Sequence, residues 1–445
     1  MFIDFLLEVF RNNQEKEAII WKDQVYRYEW FLDRIEYWKQ EIRAQNIASG
    51  AVTAVEADFS PNSVALFLAL VDHACILVPL TGSVESKKEE FLEIAQAEVS
   101  FVIDENDHVE INRLPHTATH ELYQQLRDPR HPGLILFSSG STGKSKAAVH
   151  DLSYILEKFK VPRHSLRSIT FLLYDHIGGV NTMLYNLANA GCIITVRNRT
   201  PDEVLSAVEK YQIELLPTSP TFINLILLSE AYKRHDLSSL KTVTYGTEPM
   251  PESTLKRFHE LFPETRMLQT YGLSEVGILR SKSKSSDSLW VKVGGEGFET
   301  RIVDGILQIK AKSAMLGYLN APSPFTEDGW FHTGDAVEVD GEYIRILGRK
   351  SEIINVGGEK VYPAEVESVI QAMENIADVT VSGEKNPITG NIVCAKVCLS
   401  HDEDPKKLAS RLKTFCRERL EAYKVPVKVK IVDQKHHSER FKKMR

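Results

Sequence analysis

The chain of 445 residues has few cysteines, and the five that it has are scattered. No two of them form a Cys-x-x-Cys pair, and their number is odd. Such a set fits neither a structural zinc site nor a disulfide framework. We therefore expect buried free thiols at Cys75, Cys192, Cys394, Cys398 and Cys416.

Long apolar runs and an excess of positive charge are also missing. The apolar stretch 64–80 is interrupted by Asp72 and His73, which predicts a buried helix leading into a strand and no membrane span. The net charge of -7 gives no reason to expect nucleic acid as a partner. Residues 1–17 lack the basic region of a signal peptide and predict an amphipathic helix. The composition is that of a cytoplasmic enzyme.

Short apolar segments alternate with helical patterns up to about residue 280. This alternation is typical of an α/β fold with a largely parallel sheet. The predicted strands are 51–55, 76–80, 100–103, 134–137, 192–196 and 242–245, and two clear helices are 201–211 and 252–261.

The pattern changes in the last third of the chain. Residues 281–288 are polar without an apolar period, which predicts a mobile surface loop. Two hairpins that turn at Asp-Gly then indicate a β-rich subdomain. After Gly348 follow a strand, a Gly357-Gly358 turn, a helix over 363–373, further strands and a helix over 405–420. We expect a large domain over 1–348, made of flavodoxin-like α/β subdomains and the β-rich subdomain, and a small α+β domain over 349–445.

The segment SSGSTGKSK, residues 138–146, directly follows the apolar run GLILF. Its hydroxyls, glycines and lysines are suited to holding a polyphosphate. The segment nearly matches a Walker A loop, which would have a glycine in place of Ser138. Because the match is close, a phosphoryl-transferring kinase or ATPase is an alternative. A polar surface loop is the other alternative.

Two further segments present single carboxylates in glycine-containing turns. TYGLSEVG, residues 270–277, carries Glu275, which could hold magnesium beside a triphosphate. DGWFHTGD, residues 328–335, ends in Asp335, which could accept hydrogen bonds from two ribose hydroxyls. Each segment alone could also be a structural turn with a solvated acid.

Together with GRKSEIINVGGEKVYPAEVE (348–367) and the C-terminal tail, these segments resemble the adenylate-forming superfamily in the order in which they occur. That superfamily includes acyl-CoA synthetases, stand-alone adenylation domains and firefly luciferase, and the pattern is most similar to stand-alone acyl-CoA or acyl-carrier ligases. The resemblance implies ATP-dependent activation of a carboxylic acid to acyl-AMP, with release of pyrophosphate. The acyl group would then pass to the thiol of coenzyme A or of a carrier-protein phosphopantetheine. An amino-acid or aryl-acid adenylation enzyme that serves a carrier protein in trans is an alternative.

The resemblance also implies roles for individual residues around ATP. The β- and γ-phosphates would contact Ser138, Ser139, Gly140, Ser141, Thr142, Gly143 and Lys144. Magnesium would lie near Thr142 and Glu275. Adenine would lie against the stretch 246–249 and Tyr271, and the ribose against Asp335 and Arg349. The full nucleotide set adds Gly246, Thr247, Glu248, Pro249, Thr270, Gly272 and Ser274.

For the acid, the resemblance places His176 at the entrance of the acyl pocket, where it would gate the carboxylate. A histidine of the core is the alternative. The implied pocket residues mix small, aromatic and polar side chains and suggest a small aryl, branched or medium-chain acid. They are Asp175, His176, Gly179, Asn181, Ser219, Phe222, Tyr245, Gly246 and Gly272.

The tail, residues 432–445, is similar to the family segment whose lysine enters the site for adenylation and leaves it for thioester formation. The match puts Lys442 on that lysine. Because Phe441 replaces a glycine and Lys443 replaces an apolar residue, either lysine could supply the amine. The small domain would rotate about Ser351 and bring the Gly357-Gly358 turn towards the thiol. A basic solvated tail is the alternative.

Overall fold

The computed structural model describes residues 2–139 and 145–432. Helices and strands alternate over the first two thirds of this range. The α-helices of the described residues are α1 (Asp4–Arg11), α2 (Tyr28–Ala44), α3 (Pro61–Asp72), α4 (Lys88–Ala95), α5 (Glu121–Arg127), α6 (Leu152–Glu157), α7 (Ile177–Ala188), α8 (Pro201–Tyr211), α9 (Pro220–Ser229), α10 (Glu252–Leu261), α11 (Pro363–Gln371) and α12 (Pro405–Arg417).

In the described residues the strands form two seven-stranded sheets, a six-stranded antiparallel sheet, the two-stranded sheet β14-β15 and two smaller C-terminal sheets. Those of the first two thirds are β1 (Glu17–Trp21), β2 (Gln24–Arg27), β3 (Val52–Glu56), β4 (Ile76–Leu80), β5 (Val99–Ile103), β6 (Val109–Arg113), β7 (Gly133–Ser139), β8 (Ser145–Asp151), β9 (Arg167–Ile169), β10 (Cys192–Ile194), β11 (Leu215–Thr218), β12 (Thr242–Tyr245), β13 (Arg266–Gln269), β14 (Gly272–Leu273), β15 (Gly277–Ile278), β16 (Arg280–Ser283) and β17 (Val291–Gly294). The others are β18 (Phe298–Val303), β19 (Ile306–Ala311), β20 (Gly317–Tyr318), β21 (Phe331–Asp340), β22 (Tyr343–Arg349), β23 (Ile354–Val356), β24 (Glu359–Val361), β25 (Ile376–Asn386), β26 (Gly390–Leu399) and β27 (Lys428–Ile431).

The first seven-stranded sheet has the order β13-β12-β11-β9-β10-β1-β2. All its pairs are parallel except β1 with β2, as the alternation of strands and helices predicts. Tyr245, the last residue of β12, lies opposite Gln269, the last residue of β13. The loops that begin at Gly246 and Thr270 therefore leave the sheet side by side.

The second seven-stranded sheet has the order β20-β8-β7-β4-β3-β5-β6. Its inner strands are parallel, whereas β6, β8 and β20 pair antiparallel. Strands β7 and β8 bring Ser139 opposite Ser145, so residues 140–144 connect two adjacent strand ends. β20 sets Tyr318 beside Ala148 of β8. This register places Tyr318 close to the end of the predicted phosphate loop.

Helix α3 explains how the two large sheets share a core. Pro61 occupies its first turn, and the Ser60 side chain caps its N-terminus in a reciprocal pair with Ser63. The helix is apolar on every side, and its residues from Val64 to Val71 are completely buried. Such a helix is stable only when it is surrounded. It packs in one apolar cluster with α1, α2 and α7.

The β-rich region is a six-stranded sheet of order β16-β17-β22-β21-β19-β18. Both predicted Asp-Gly hairpins are present, as β18–β19 and β21–β22. The second hairpin sets Asp335 opposite Arg349. The prediction of a loop over 281–288 is wrong in its first part, because residues 280–283 form β16 and pair with β17. Backbone hydrogen bonds at a sheet edge do not require an apolar period.

The C-terminal part consists of the three-stranded sheet β25-β26-β27, the hairpin β23–β24, and α11 and α12. It packs on the rest through α11, where Ser368 Oγ accepts a hydrogen bond of 2.9 Å from the backbone of Glu252. The two helices end at Gln371 and Arg417, a few residues before their predicted ends. Strand β22 runs through Arg349, and the domain boundary between 348 and 349 stays a prediction.

Two expectations from composition can be compared with the structure. None of the five cysteines is in a disulfide. The prediction of buried thiols is confirmed for Cys75, Cys192, Cys394 and Cys416 and is wrong for Cys398, which is partly exposed. Within residues 2–139 and 145–432, no helix combines the length and the apolar character that crossing a membrane requires.

Candidate active site

A buried carboxylate lies at the centre of the candidate site. Asp335, on β21, is 6% exposed. Its Oδ2 accepts a hydrogen bond of 2.5 Å from the hydroxyl of Tyr271, and its Oδ1 lies 2.8 Å from Nε of Arg349. Thr333 Oγ1 accepts a hydrogen bond of 3.0 Å from the Asp335 backbone. The hairpin β21–β22 and the loop after β13 thus contact the two oxygens of one carboxylate, and Thr333 holds the backbone beneath it.

The charge of this carboxylate is set by opposing effects. Burial raises the pKa of Asp335, whereas the Arg349 guanidinium and the Tyr271 hydroxyl act to lower it. Burial and the neighbouring Asp335 charge also raise the pKa of Tyr271 well above its usual value. Tyr271 therefore remains a hydrogen-bond donor at neutral pH. The arrangement fits a carboxylate that accepts hydrogen bonds from a polar ligand.

A second carboxylate lies near the first. The turn between β14 and β15 carries Glu275, whose Oε1 accepts a hydrogen bond of 2.7 Å from the hydroxyl of Tyr318. Nζ of Lys146 lies 5.3 Å from the centre of the Tyr318 ring. The charge of Glu275 acts on Asp335 and raises its pKa slightly. Residues from the second large sheet, the β14–β15 turn and the six-stranded sheet therefore meet in one place.

The chemistry of Glu275 fits magnesium rather than a metal bound wholly by protein. Among the described residues, no group of three or more His, Cys, Asp or Glu side chains could hold a metal ion. Mg²⁺ in phosphate-transferring sites is commonly bound by one or two carboxylates together with substrate phosphates. Since Tyr318 bonds to only one carboxylate oxygen, Oε2 of Glu275 is the oxygen suited to such an ion.

The C-terminal end of the predicted phosphate loop is held by side chains from other elements, Asn320 and Lys87. The Asn320 side chain donates to the carbonyl of Ser145 at 2.9 Å and accepts from the backbone of Ala147 at 3.0 Å. Nζ of Lys87 donates to Ser145 Oγ at 3.3 Å. Ser138 and Ser139 end β7. The remaining predicted residues lie outside the described ranges; they are Gly140, Ser141, Thr142, Gly143, Lys144, Lys442 and Lys443.

The predicted adenine stretch lies beside the loop that carries Tyr271. A Cβ at Gly246 would stand 2.7 Å from the carbonyl oxygen of Thr270, so only glycine allows this approach. Thr247 has φ of 73°, a strained value for a side chain branched at Cβ. Oε1 of Glu248 accepts a hydrogen bond of 2.8 Å from the backbone of Thr221 in the first turn of α9. Glu248 therefore caps a helix in this structure.

The histidine of the predicted acyl pocket also caps a helix. Nδ1 of His176 accepts a hydrogen bond of 3.0 Å from the backbone of Gly178 at the start of α7. Asp175, next to it, is buried and accepts a hydrogen bond of 3.0 Å from Thr81 Oγ1. Both residues are thus held at the N-terminus of α7, and the gating role of His176 remains a prediction.

The other predicted pocket residues fall into two groups. Gly179 and Gly272 allow close packing, since a Cβ would stand 2.0 Å from the Leu173 carbonyl in the first and 2.4 Å from Cδ1 of Ile278 in the second. Phe222 and Tyr245 are 0% and 1% exposed and belong to the core of the first sheet. Asn181 lies in α7, and Ser219 caps α9. The structure does not bring Phe222 and Tyr245 to a surface.

The structure adds residues that sequence reasoning missed. Tyr318 ends the short strand β20, and Asn320 lies two residues beyond it. Their segment has no glycine-rich or acidic signature, and the only sequence signal is Gly-Tyr-Leu-Asn between two turns. Lys158 follows α6, and the sequence alone indicates only an ordinary cation at the end of a helix. Only the contacts with Glu275, Ser145 and Ile278 single these three residues out.

The sequence matches two family profiles. Residues 9–305 match the profile described as AMP-binding enzyme, and residues 365–442 match that of the AMP-binding enzyme C-terminal domain. The first match covers more than half of the chain. The two matches follow each other in the order of the large and the small predicted domain.

Curated relatives and solved structures resemble the chain as follows. An indoleacetate–CoA ligase of Aromatoleum aromaticum is 28% identical over 69% of this chain and 64% of its own length. A 2-succinylbenzoate–CoA ligase of Bacillus licheniformis is 25% identical over 81% of this chain and 82% of its own length. The chain spans less than two thirds of the length of the first curated relatives that it matches. An anthranilate–CoA ligase in complex with anthranoyl-AMP superposes with a TM-score of 0.83 at 19% identity, over 99% of this chain and 95% of that one.

Proposed function

The chain belongs to the AMP-binding enzyme family, and from this premise we propose that it activates a carboxylic acid with ATP and transfers the acyl group to coenzyme A. A carboxylate oxygen attacks the α-phosphorus of ATP, the bond from that phosphorus to pyrophosphate breaks, and acyl-AMP forms. The thiolate then attacks the acyl carbon, and AMP leaves. The protein contributes mainly position and neutralisation of charge around phosphorus. The reaction is proposed to occur in the cytoplasm, where ATP and coenzyme A are available.

The observation that carries this proposal is the convergence on Asp335. Its buried carboxylate is already oriented by Tyr271 and Arg349. In the proposed complex it accepts hydrogen bonds from the ribose hydroxyls, while Arg349 limits the cost of holding a negative charge in a buried place. Adenine would lie against the stretch 246–249 and Tyr271, whose hydroxyl contacts Asp335.

The phosphates would occupy the loop that begins at Ser138, close to Lys146 and Lys87. Glu275 is the proposed ligand of Mg²⁺, with Thr142 as a second oxygen near the ion. When bound, Mg²⁺ would neutralise charge on the phosphates and so favour the departure of pyrophosphate. Tyr318 would keep the Glu275 carboxylate turned towards that loop.

The acid and the acceptor are proposed from the relatives. Indoleacetate and 2-succinylbenzoate are named for the curated ligases, and anthranoyl-AMP is bound in the solved structure. These are aromatic acids, so we propose an aryl acid or another small acid for this chain. Coenzyme A is the proposed acceptor, and the phosphopantetheine of a carrier protein acting in trans is the alternative.

A lysine from the tail is proposed to assist the first step. The amine of Lys442 or Lys443 would contact both the substrate carboxylate and the α-phosphate, which suits a compact charge on a flexible stem. Rotation of residues 349–445 about Ser351 would remove it and bring the Gly357-Gly358 turn near the thiol. Lys442→Ala should lower acyl-AMP formation about 100-fold and spare thioester formation from supplied acyl-AMP. The same loss in Lys443→Ala, with Lys442→Ala active, would transfer the role to Lys443.

The reaction is tested by measuring products with Mg-ATP and a panel of carboxylic acids. We expect AMP and pyrophosphate, together with exchange of labelled pyrophosphate into ATP that depends on the acid. Formation of ADP or of orthophosphate as the primary product would instead identify a phosphoryl-transferring enzyme. Addition of coenzyme A or of a phosphopantetheine-loaded carrier protein to the same mixtures identifies the acceptor.

A further inference from the structure

Lys158 is a cation for which residues 2–139 and 145–432 supply no acidic partner. It directly follows α6, and its Nζ donates a hydrogen bond of 3.2 Å to the carbonyl of Ile278. The same nitrogen lies 5.0 Å from the centre of the Phe159 ring. In the described part of the chain, no carboxylate forms an ion pair with it.

The surroundings of Lys158 disfavour its charge. Burial, reinforced by the neighbouring cation Arg280, lowers the pKa of the Lys158 ammonium to about 8. The partner of Arg280 is Glu296, whose carboxylate is exposed and 3.8 Å away, so it provides little neutralisation. By contrast, the buried Lys39 lies 2.6 Å from Asp72. A buried lysine that serves structure alone is usually paired in that way.

The position of Lys158 relates it to the candidate site. Ile278, whose carbonyl it contacts, lies on β15 opposite Gly272 of β14. The turn of the same hairpin carries Glu275, which is three residues from Ile278 and therefore at most about 10 Å away along the chain. Strand β15 also packs on α7, the helix that His176 caps. The Lys158 amine therefore contacts the hairpin whose turn carries the proposed metal carboxylate.

We propose that Lys158, with Arg280 beside it, binds a second carboxylate of the acid substrate, at the end of the acid remote from the reacting group. The preferred substrate class is a dicarboxylic acid with one ring or a short chain between its two acid groups. The inference rests on the proposed activation of a carboxylic acid. A second carboxylate supplies the counter-charge that the described residues do not provide at this point.

The test compares acids that differ only in the remote group. The pairs are terephthalate with 4-methylbenzoate, and suberate with octanoate. The wild-type enzyme should favour the diacid of at least one pair by about 10- to 100-fold in kcat/KM for pyrophosphate exchange, the range expected for a hydrogen bond to a charged group. Lys158→Met should remove this preference through KM for the diacid, and should leave the monoacids unchanged or improved.

Three controls separate recognition from a structural role. Lys158→Arg keeps a cation at the site and should retain a preference for the diacid. Lys160→Met removes an exposed cation that pairs with Glu157 and should behave as wild type. Thermal shift of the ligand-free enzyme gives a readout besides turnover, since a binding diacid should stabilise the wild type and not Lys158→Met.

Equal use of both acids of each pair by the wild type would overturn the inference, as would an equal loss for both acids in Lys158→Met. Diacid binding that depends on Lys158 but gives no pyrophosphate exchange would support the inference and reject the proposed reaction. Exchange with monoacids only, without stabilisation by any diacid, would support the reaction and reject the role of Lys158. The two proposals therefore fail separately.

Discussion

The two proposed ends of the site treat charge differently. At the proposed nucleotide end, Asp335 has Arg349 and Tyr271, and Glu275 has Tyr318. At the proposed acyl end, Lys158 has a backbone carbonyl and a neighbouring cation. In our proposal, the contacts that every acid requires are already made within the chain. The contact that distinguishes one acid from another is made only when the substrate binds.

This difference has a physical reason. Preorganised groups need not reorient during reaction, so a fixed carboxylate pair serves every turnover in the same way. A buried cation without a counter-charge instead lowers the stability of the free enzyme. Only a ligand that neutralises the cation offsets this cost. Substitutions near Asp335 and Glu275 should therefore lower activity with every acid. Substitutions at Lys158 should change activity only with some acids.

The largest expected effect is that of Asp335→Asn. The substitution removes the charge that holds Arg349 and that would accept from the ribose. We expect kcat/KM for pyrophosphate exchange to fall about 100-fold or more with every acid, together with weaker ATP binding by calorimetry. Asp340→Asn is the control, because Asp340 lies on the same strand and pairs with Lys284 at the surface. A loss confined to some acids would break the contrast between the two ends.

A smaller but equally general effect is expected for Glu275→Gln. The amide keeps an acceptor for Tyr318 but lacks the charge for Mg²⁺, so activity should fall about 10- to 100-fold. The Mg²⁺ concentration required for half-maximal activity should rise. Mn²⁺ binding in the presence of ATP, followed by electron paramagnetic resonance, should weaken in parallel.

Tyr318→Phe tests whether the hydrogen bond from Tyr318 orients the Glu275 carboxylate for Mg²⁺. It removes one hydrogen bond and should cost about fivefold, with the same shift in Mg²⁺ dependence. Tyr154→Phe changes an exposed tyrosine and is the matched control. An unchanged Mg²⁺ curve in both Glu275→Gln and Tyr318→Phe would contradict the metal role of this turn.

The smallest effect concerns stability at the acyl end. Because the pKa of Lys158 is lowered on folding, the folded state binds fewer protons than the unfolded state between about pH 8 and the usual lysine pKa. The cost of burying the charge is therefore complete at pH 7 and is relieved as pH rises. Lys158→Met should raise the free energy of unfolding by about 1 kcal/mol at pH 7. Denaturant unfolding should show this gain disappear towards pH 10.5, and a constant gain would argue against a buried charge.

Local signals predicted much of the fold. Helix α8 begins and ends at its predicted residues because Pro201 marks its first turn and its apolar residues repeat on one face. The Asp-Gly dipeptides at 304–305 and 340–341 placed both hairpins. Strand β16 was not predicted, because this edge strand pairs with β17 through backbone hydrogen bonds and its side chains show no apolar period.

Only those residues of the candidate site that belong to a recognisable sequence motif could be predicted from the sequence. Glu275 stands in the turn between β14 and β15, whereas Asp335 lies within strand β21 and not in the turn that its segment predicts. Asp335 and Arg349 form an ion pair, and their role at the ribose stays a prediction. Lys158 and Tyr318 owe their importance to residues far away in sequence. Lys158 contacts Ile278, 120 positions further along the chain. A single sequence gives no sign of such a contact.

Exchange of labelled pyrophosphate into ATP, measured with the wild type and Asp335→Asn over the matched acids, tests the account most directly. We predict exchange that requires an acid, that prefers a diacid to its monoacid counterpart, and that is lost for all acids together in Asp335→Asn. Exchange without any acid, or hydrolysis of ATP to ADP in its place, would contradict the account.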